Sequence, residues 1–181
     1  PGKGSAFVRT KMKNVITAAV PHHETGETKL TENTAILVDT GALFNGYCSD
    51  LTRMAFFGTP DEEFKNAYDA VLTANLTAFD KIVGGMSGKD ADAIAREVLK
   101  QRGYGEYFTH SLGHGVGLKI HERPNVSPRS RDNLDENAVF TVEPGVYLNG
   151  KFGIRIEDTA TIKNGKAERL FTDSKELFVI K

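Results

Sequence analysis

The 181-residue sequence contains one cysteine, Cys48. A disulfide framework and a cysteine-rich zinc module are both excluded on that count. No apolar run approaches the length of a membrane-spanning helix, and the first thirty residues lack the apolar core of a signal peptide. The charges nearly cancel, with 23 basic and 24 acidic residues and a net charge of −1. The basic excess of a nucleic-acid binder is missing. Neither a phosphate-binding G-x-x-x-x-G-K-[ST] loop nor a G-x-S-x-G nucleophile turn occurs. What remains is an ordinary globular composition, 39% hydrophobic and 26% charged, long enough for a real core. A reducing, cytoplasmic setting is the default expectation. The start at Pro1 rather than Met points to a trimmed piece of a longer chain.

Residues 1–29 are polar and irregular and read as a solvated strand or arm. Residues 34–38 form an apolar run ending at Asp39, and a turn at Asn45-Gly46 leads into a returning strand over 47–57. Thr59-Pro60-Asp61-Glu62 reads as a helix start with Thr59 as cap. Helical spacing continues to Val83, and Gly84-Gly85 stops it. A second helix starts near Ser87 and ends at Gly103. Residues 107–124 are rich in Gly and His. A second apolar run, 138–142, ends at Glu143; strands around 153–162 and 166–180 follow.

The sequence repeats itself. Residues 30–41 (LTENTAILVDTG) align with 134–145 (LDENAVFTVEPG) at an offset of 104, matching Asp39 with Glu143. Each half then reaches a second acid near threonine, Asp50 and Glu157. Two related lobes facing each other are expected, about 20–105 and 106–181, within one domain.

Buried acids ending apolar strands are costly unless compensated, by roughly several kcal/mol each. Arg53 and Arg155 lie close in sequence, but two divalent metals would compensate four acids better. Asp, Glu and His donors suit manganese, cobalt, iron or zinc rather than a thiolate-seeking ion. All five histidines fall in two patches, His22-His23 and His110, His114, His121. His110 and His114 have the spacing of a zincin pair, but the adjacent glutamate is missing and Gly113 disfavours a helix. Cys48 reads as a small packed thiol.

The segments Leu37-Val38-Asp39-Thr40-Gly41, Ser49-Asp50-Leu51-Thr52-Arg53, Gly113-His114-Gly115-Val116-Gly117, His121-Glu122-Arg123-Pro124, Val142-Glu143-Pro144-Gly145 and Arg155-Ile156-Glu157-Asp158 together resemble the pita-bread metallopeptidases over about residues 20–180. That superfamily includes methionine aminopeptidase, Xaa-Pro aminopeptidase and Xaa-Pro dipeptidase (prolidase). The resemblance implies an α+β pita-bread fold: two pseudo-symmetric lobes of antiparallel sheet backed by helices. It implies Asp39, Asp50, His114, Glu143 and Glu157 as ligands to two divalent metals, manganese first, with a water or hydroxide bridging them. Glu143 would also shuttle a proton. His22 and His121 would face the substrate, with His110 and Arg155 beside it.

Gly-Val-Tyr after Pro144 and Asp158 after Glu157 resemble the Xaa-Pro branch, whose members hydrolyse the bond between an N-terminal residue and proline. The implied partner is a peptide or dipeptide with proline in second position, not nucleic acid or membrane, and a homodimer is compatible. The alternatives are methionine aminopeptidase or a non-catalytic peptide-binding module of the same fold. Residues 5–20 match the family's lead-in poorly, so a catalytic domain short at its N-terminus, without a separate N-terminal domain, is expected.

Overall fold

The computed structural model describes residues 29–181 and the backbone of residues 7–13. Strand β1 (Phe7–Lys13) lies antiparallel to β2 (Thr34–Phe44), with Lys11 opposite Asp39. The part of the N-terminal arm that is described is therefore a strand on the edge of the sheet. Asn45 and Gly46, at φ 50° and 86°, form the two-residue turn into β3 (Tyr47–Cys48). Such primed turns need left-handed backbone, which Asn and Gly adopt most cheaply. The expected strand 47–57 is interrupted at Ser49-Asp50 before β4 (Leu51–Phe57). Thr52, Met54 and Phe56 alternate inward on β4.

Helix α1 spans Glu62–Lys81. Its cap is Asp61, whose carboxylate accepts from the Phe64 N–H at 2.8 Å; Thr59 instead donates its N–H to Asn33. A cap two residues later than the sequence suggests places Glu62 and Glu63 in the first turn, where the helix dipole favours them. Ile82 and Val83 lie beyond the helix end. Strand β5 (Met86–Ser87) leads into α2 (Gly88–Gln101), which starts beside Ser87 as expected and is capped by the Ser87 hydroxyl, with Gly103 at φ 83° after it. A single 3-10 turn, Gly105–Tyr107, precedes β6 (Gly113–Gly115) and β7 (Glu122–Val126). Then come β8 (Asn133–Leu134), β9 (Val139–Val142), β10 (Gly145–Leu148), β11 (Phe152–Arg155), β12 (Glu157–Lys163), β13 (Lys166–Arg169) and β14 (Phe178–Ile180).

The main sheet runs β1-β2-β4-β12-β9-β6-β7, with β13 beside β12 and β14 parallel to β4. The repeat is visible in the backbone: Asn33 and Asn137, 104 residues apart, both take left-handed φ, 61° and 66°. The two halves meet where β4 pairs with β12, Thr52 opposite Glu157. Helix α1 packs on β9, β10, β11 and β13, and α2 on β7. Both helices precede the expected lobe boundary in sequence, yet they back strands of the second half. Phe64 anchors α1, its ring 4.8 Å from that of Phe56 and 5.2 Å from that of Phe152. Full burial of such a ring contributes roughly 1.5–3 kcal/mol.

Candidate metal centre

The acids sit at strand ends and interruptions along the junction of the two halves. Asp39 lies on β2 opposite Thr52, and Asp50 fills the gap between β3 and β4. Gly41 allows that gap: a Cβ there would lie 2.4 Å from the Ser49 carbonyl oxygen. Glu143 follows β9, and its N–H donates to Leu112 at 2.8 Å. Glu157 opens β12 and is almost wholly buried. The two halves exchange threonine hydrogen bonds across the junction. Thr52 Oγ1 donates to Glu157 Oε2 at 2.5 Å, and Thr159 Oγ1 donates to the Asp50 carbonyl at 2.7 Å.

His114 stands on β6 between two glycines that touch backbone. A Cβ at Gly113 would lie 2.0 Å from the Thr141 carbonyl oxygen, and one at Gly115 2.1 Å from that of Arg123. Helix α2 holds the approach to this strand. Asp92 accepts the Leu112 N–H at 2.9 Å, and Arg96 donates to the Phe108 and His110 carbonyls. The His114 Nδ1 lies 3.0 Å from the Gly115 carbonyl. That contact assigns its proton to Nδ1 and leaves the Nε2 lone pair directed at the acids.

Nε2 lies 3.3 Å from Glu143 Oε1 and 3.7 Å from Asp50 Oδ2. Burial pulls the His114 pKa down to about 4, so the ring is neutral and its lone pair meets carboxylate oxygens. Burial, then the neighbouring Glu157 and Asp39, pushes Asp50 up to about 8, and burial with Glu157 raises Glu143 well above the ordinary range. Such an arrangement calls for a cation at its centre. One donor atom each from Asp50, His114 and Glu157 lies within 4.8 Å of the others, and the O,O,N set suits a divalent transition ion. The site residues therefore fit a metal. Thr141 Oγ1 fixes Glu143 by donating to Oε1 at 3.0 Å, while accepting the His114 N–H.

Arg155 is buried among the acids. Its Nη2 donates to Asp39 Oδ2 at 2.6 Å and its Nε to Thr52 at 3.1 Å, with Glu143 and Glu157 oxygens at 3.7 and 3.8 Å. It offsets part of the negative charge from beneath. Asp158 pairs instead with Arg53 and Lys175.

All eight described candidates line a single cleft of about 840 Å³: Asp39, Asp50, Glu143, Glu157 and Arg155 with His110, His114 and His121. The His121 ring stands edge-on to His114, 4.3 Å between centroids. His110 Nε2 is 2.9 Å from the Tyr147 hydroxyl, which lies 3.5 Å from Arg155 Nη1. His22 lies outside the described residues. Thr52, Thr141 and Tyr147 support the site but were not singled out as site residues from sequence. The only signal for the threonines is their place two residues from an acid, Asp50-x-Thr52 and Thr141-x-Glu143.

Comparison with known proteins agrees with this geometry. Residues 15–164 match metallopeptidase family M24, and residues 1–23 match the elongation factor P (EF-P) KOW-like domain, which accounts for the poor family lead-in over 5–20. The chain is 43% identical over 160 residues to the Xaa-Pro dipeptidase of Pyrococcus furiosus, covering 88% of this chain and 46% of that protein. The X-Pro aminopeptidase structure from Thermotoga maritima superposes with a TM-score of 0.91 at 42% identity, covering 94% of this chain and 49% of that one. A dipeptidase from Pyrococcus horikoshii gives 0.92 at 42% identity, covering 94% and 48%. The chain thus spans about half the length of the relatives it matches. The fold is the α+β pita-bread fold of these proteins, and among the described residues no helix is long and apolar enough to cross a membrane. With the profile match covering most of its length and the acid–histidine cluster at the junction of the repeats, the chain belongs to metallopeptidase family M24.

Proposed function

We propose that this chain is the catalytic part of a two-metal peptidase that splits the bond between an N-terminal residue and proline, in Xaa-Pro dipeptides or in longer peptides with proline second. The observation that carries the reading is the His114 Nε2 lone pair aimed at Glu143 and Asp50 beside Glu157, on the wall of the cleft. Asp39, Asp50, His114, Glu143 and Glu157 would hold the two ions, manganese first. Bound there, divalent ions lower the pKa of a water and stabilise the oxygen developing at the scissile carbonyl.

The protein's own groups do the rest. Glu143, its Oε1 oriented by Thr141, stands where a proton can pass toward the leaving amine. His121 lines the cleft and would hydrogen-bond a substrate carbonyl there, while His110, its ring held between the Ser111 carbonyl and the Tyr147 hydroxyl, would flank the substrate. Arg155 keeps the four acids tolerable at close range. A cleft of about 840 Å³ accommodates a dipeptide or short peptide. The relatives' names support the Xaa-Pro substrate class.

Metal content after dialysis against Mn²⁺, together with hydrolysis of Xaa-Pro and Met-initiated peptides, tests this. Two ions per chain, lost in Asp50→Ala, with Xaa-Pro cleavage are expected. A folded wild type that takes up no metal would refute the site, and cleavage confined to Met-peptides would refute the substrate class.

A further inference from the structure

Helix α1 turns an almost wholly apolar face to the sheet, with Phe64, Ala67, Ala70, Val71, Ala74 and Ala78 buried. Asn75 interrupts this face and is fully buried. Asparagine is a poor helix former, and a buried amide is costly unless it is hydrogen-bonded. Both ends of this amide are engaged. Nδ2 donates to the Val142 carbonyl at 3.0 Å and to the Ile156 carbonyl at 3.1 Å, and Oδ1 accepts from the Lys175 ammonium. Two carbonyls on one side and an ammonium on the other assign nitrogen and oxygen without ambiguity.

The two carbonyls belong to the residues immediately before Glu143 and Glu157. Both sit where strand geometry changes: β9 ends at Val142, and Ile156 separates β11 from β12. Lys175 is itself fixed by Asp158 Oδ2 at 2.5 Å, and Asp158 Oδ1 takes Arg53 Nη2 at 2.6 Å. Arg53 Nη1 returns to the Glu157 carbonyl at 2.6 Å. A buried polar network thus grips the backbone of both glutamates from the helix side of the sheet, away from the cleft.

We propose that Asn75 is a positioning residue: its amide ties the backbone ahead of Glu143 to the backbone ahead of Glu157 and so sets the separation of the two carboxylates in the metal centre. The proposal rests on the two-metal reading above. One helix residue controls the spacing of two ligands 14 positions apart in sequence without touching either carboxylate.

Asn75→Leu keeps the branched shape and removes the donors. Asn75→Asp keeps the shape and turns an oxygen toward the two carbonyls. Metal-free wild type and both variants would be compared by circular dichroism and thermal unfolding, then titrated with Co²⁺ by calorimetry and visible absorption. Wild type is expected to take up two Co²⁺. Folded variants are expected to bind at least one ion about 10- to 100-fold more weakly, with altered visible bands, because the ligand geometry has changed.

Variants that lose thermal stability yet bind two Co²⁺ with wild-type affinity and bands would show a structural amide only and overturn the proposal. A wild type that binds no Co²⁺ would sink the metal reading, and the proposal with it. Where both of these variants fail to fold, Asn75→Ala decides, since it removes the amide donors, adds no atom to the core and leaves the Lys175–Asp158 pair in place. Weaker Co²⁺ binding with shifted bands in that variant supports the tie; wild-type affinity and bands overturn it.

Discussion

Replacing Gly113 with alanine is the sharpest test of how the site is framed. The new Cβ would meet the Thr141 carbonyl oxygen at 2.0 Å and its carbon at 2.7 Å. Ordinary van der Waals contact begins near 3.4 Å, so the atom is about 1.4 Å too close to backbone that cannot rotate away. Strand β6 must lift off β9. The His114 N–H bond to Thr141 Oγ1, now 3.0 Å, is lost when the strands part by that amount. Overpacking of this kind costs about 1–3 kcal/mol, and a hydrogen bond about 1 kcal/mol more. At about 2–4 °C per kcal/mol for a domain of this size, the melting temperature should fall by roughly 5–15 °C. Metal binding should suffer more, because ligand distances tolerate only about ±0.2 Å and His114 moves with its strand.

The assay is calorimetric unfolding of the metal-free chain, then Mn²⁺ titration. Gly150→Ala is the control: Gly150 has φ 74° with nothing near its missing Cβ, so it carries backbone strain without a clash. A Gly113→Ala protein that binds two ions and melts no lower than Gly150→Ala would refute the argument that β6 must approach β9 this closely.

Two further outcomes follow from the same geometry. Thr52→Val keeps the shape but removes both the 2.5 Å bond to Glu157 and the acceptor for Arg155 Nε; Mn²⁺ affinity should fall about tenfold or more, and unchanged affinity by calorimetry would count against Thr52 orienting Glu157. Lys175 is held below the ordinary lysine pKa of 10.5 by burial, with Asp158 offsetting part of the shift. Between its folded pKa and 10.5 the unfolded chain binds more protons, so stability gains as pH rises through that window. The melting temperature of wild type relative to Lys175→Met should therefore climb toward pH 10.5, and a flat or falling difference would contradict the sign.

Much of the site was legible because acids that end apolar runs are chemically conspicuous. Asp39 and Glu143 stand out against five-residue apolar stretches, and the 104-residue repeat pairs them. The repeat even extends to Asn33 and Asn137, whose left-handed backbone matches. The supporting groups were harder to read. Thr52 and Glu157 are 105 residues apart, and Asn75 and Lys175 are 100 apart; neither pairing leaves a local pattern. Asn75 stands at apolar-face spacing, four residues from Val71 and from Phe79, but its partners appear only once the sheet is in place. The cap of α1 was misplaced because Thr59 and Asp61 are both good caps, and the choice between them depends on Asn33, which draws the Thr59 N–H. The breaks at Ser49-Asp50 and Ile156 are not legible in the sequence, because neither carries a glycine or proline to mark it. Arg155 lines the cleft beside the expected substrate position, and its bond to Asp39 also makes it the charge compensator that its nearness to Glu157 in sequence suggests.

The seam between β4 and β12 governs when the protein can acquire its chemistry. Strand β4 ends at Phe57, but its neighbours β12 and β14 begin only at Glu157 and Phe178. During synthesis the β2–β4 hairpin can present Asp39 and Asp50 well before β12 exists, while one side of β4 remains an open edge for about a hundred residues of translation. Loop closure over that distance is slow compared with forming a hairpin or a helix. The centre is thus completed only once Glu157 has been made, and the nascent chain has an exposed strand edge to shield until β12 and β14 arrive.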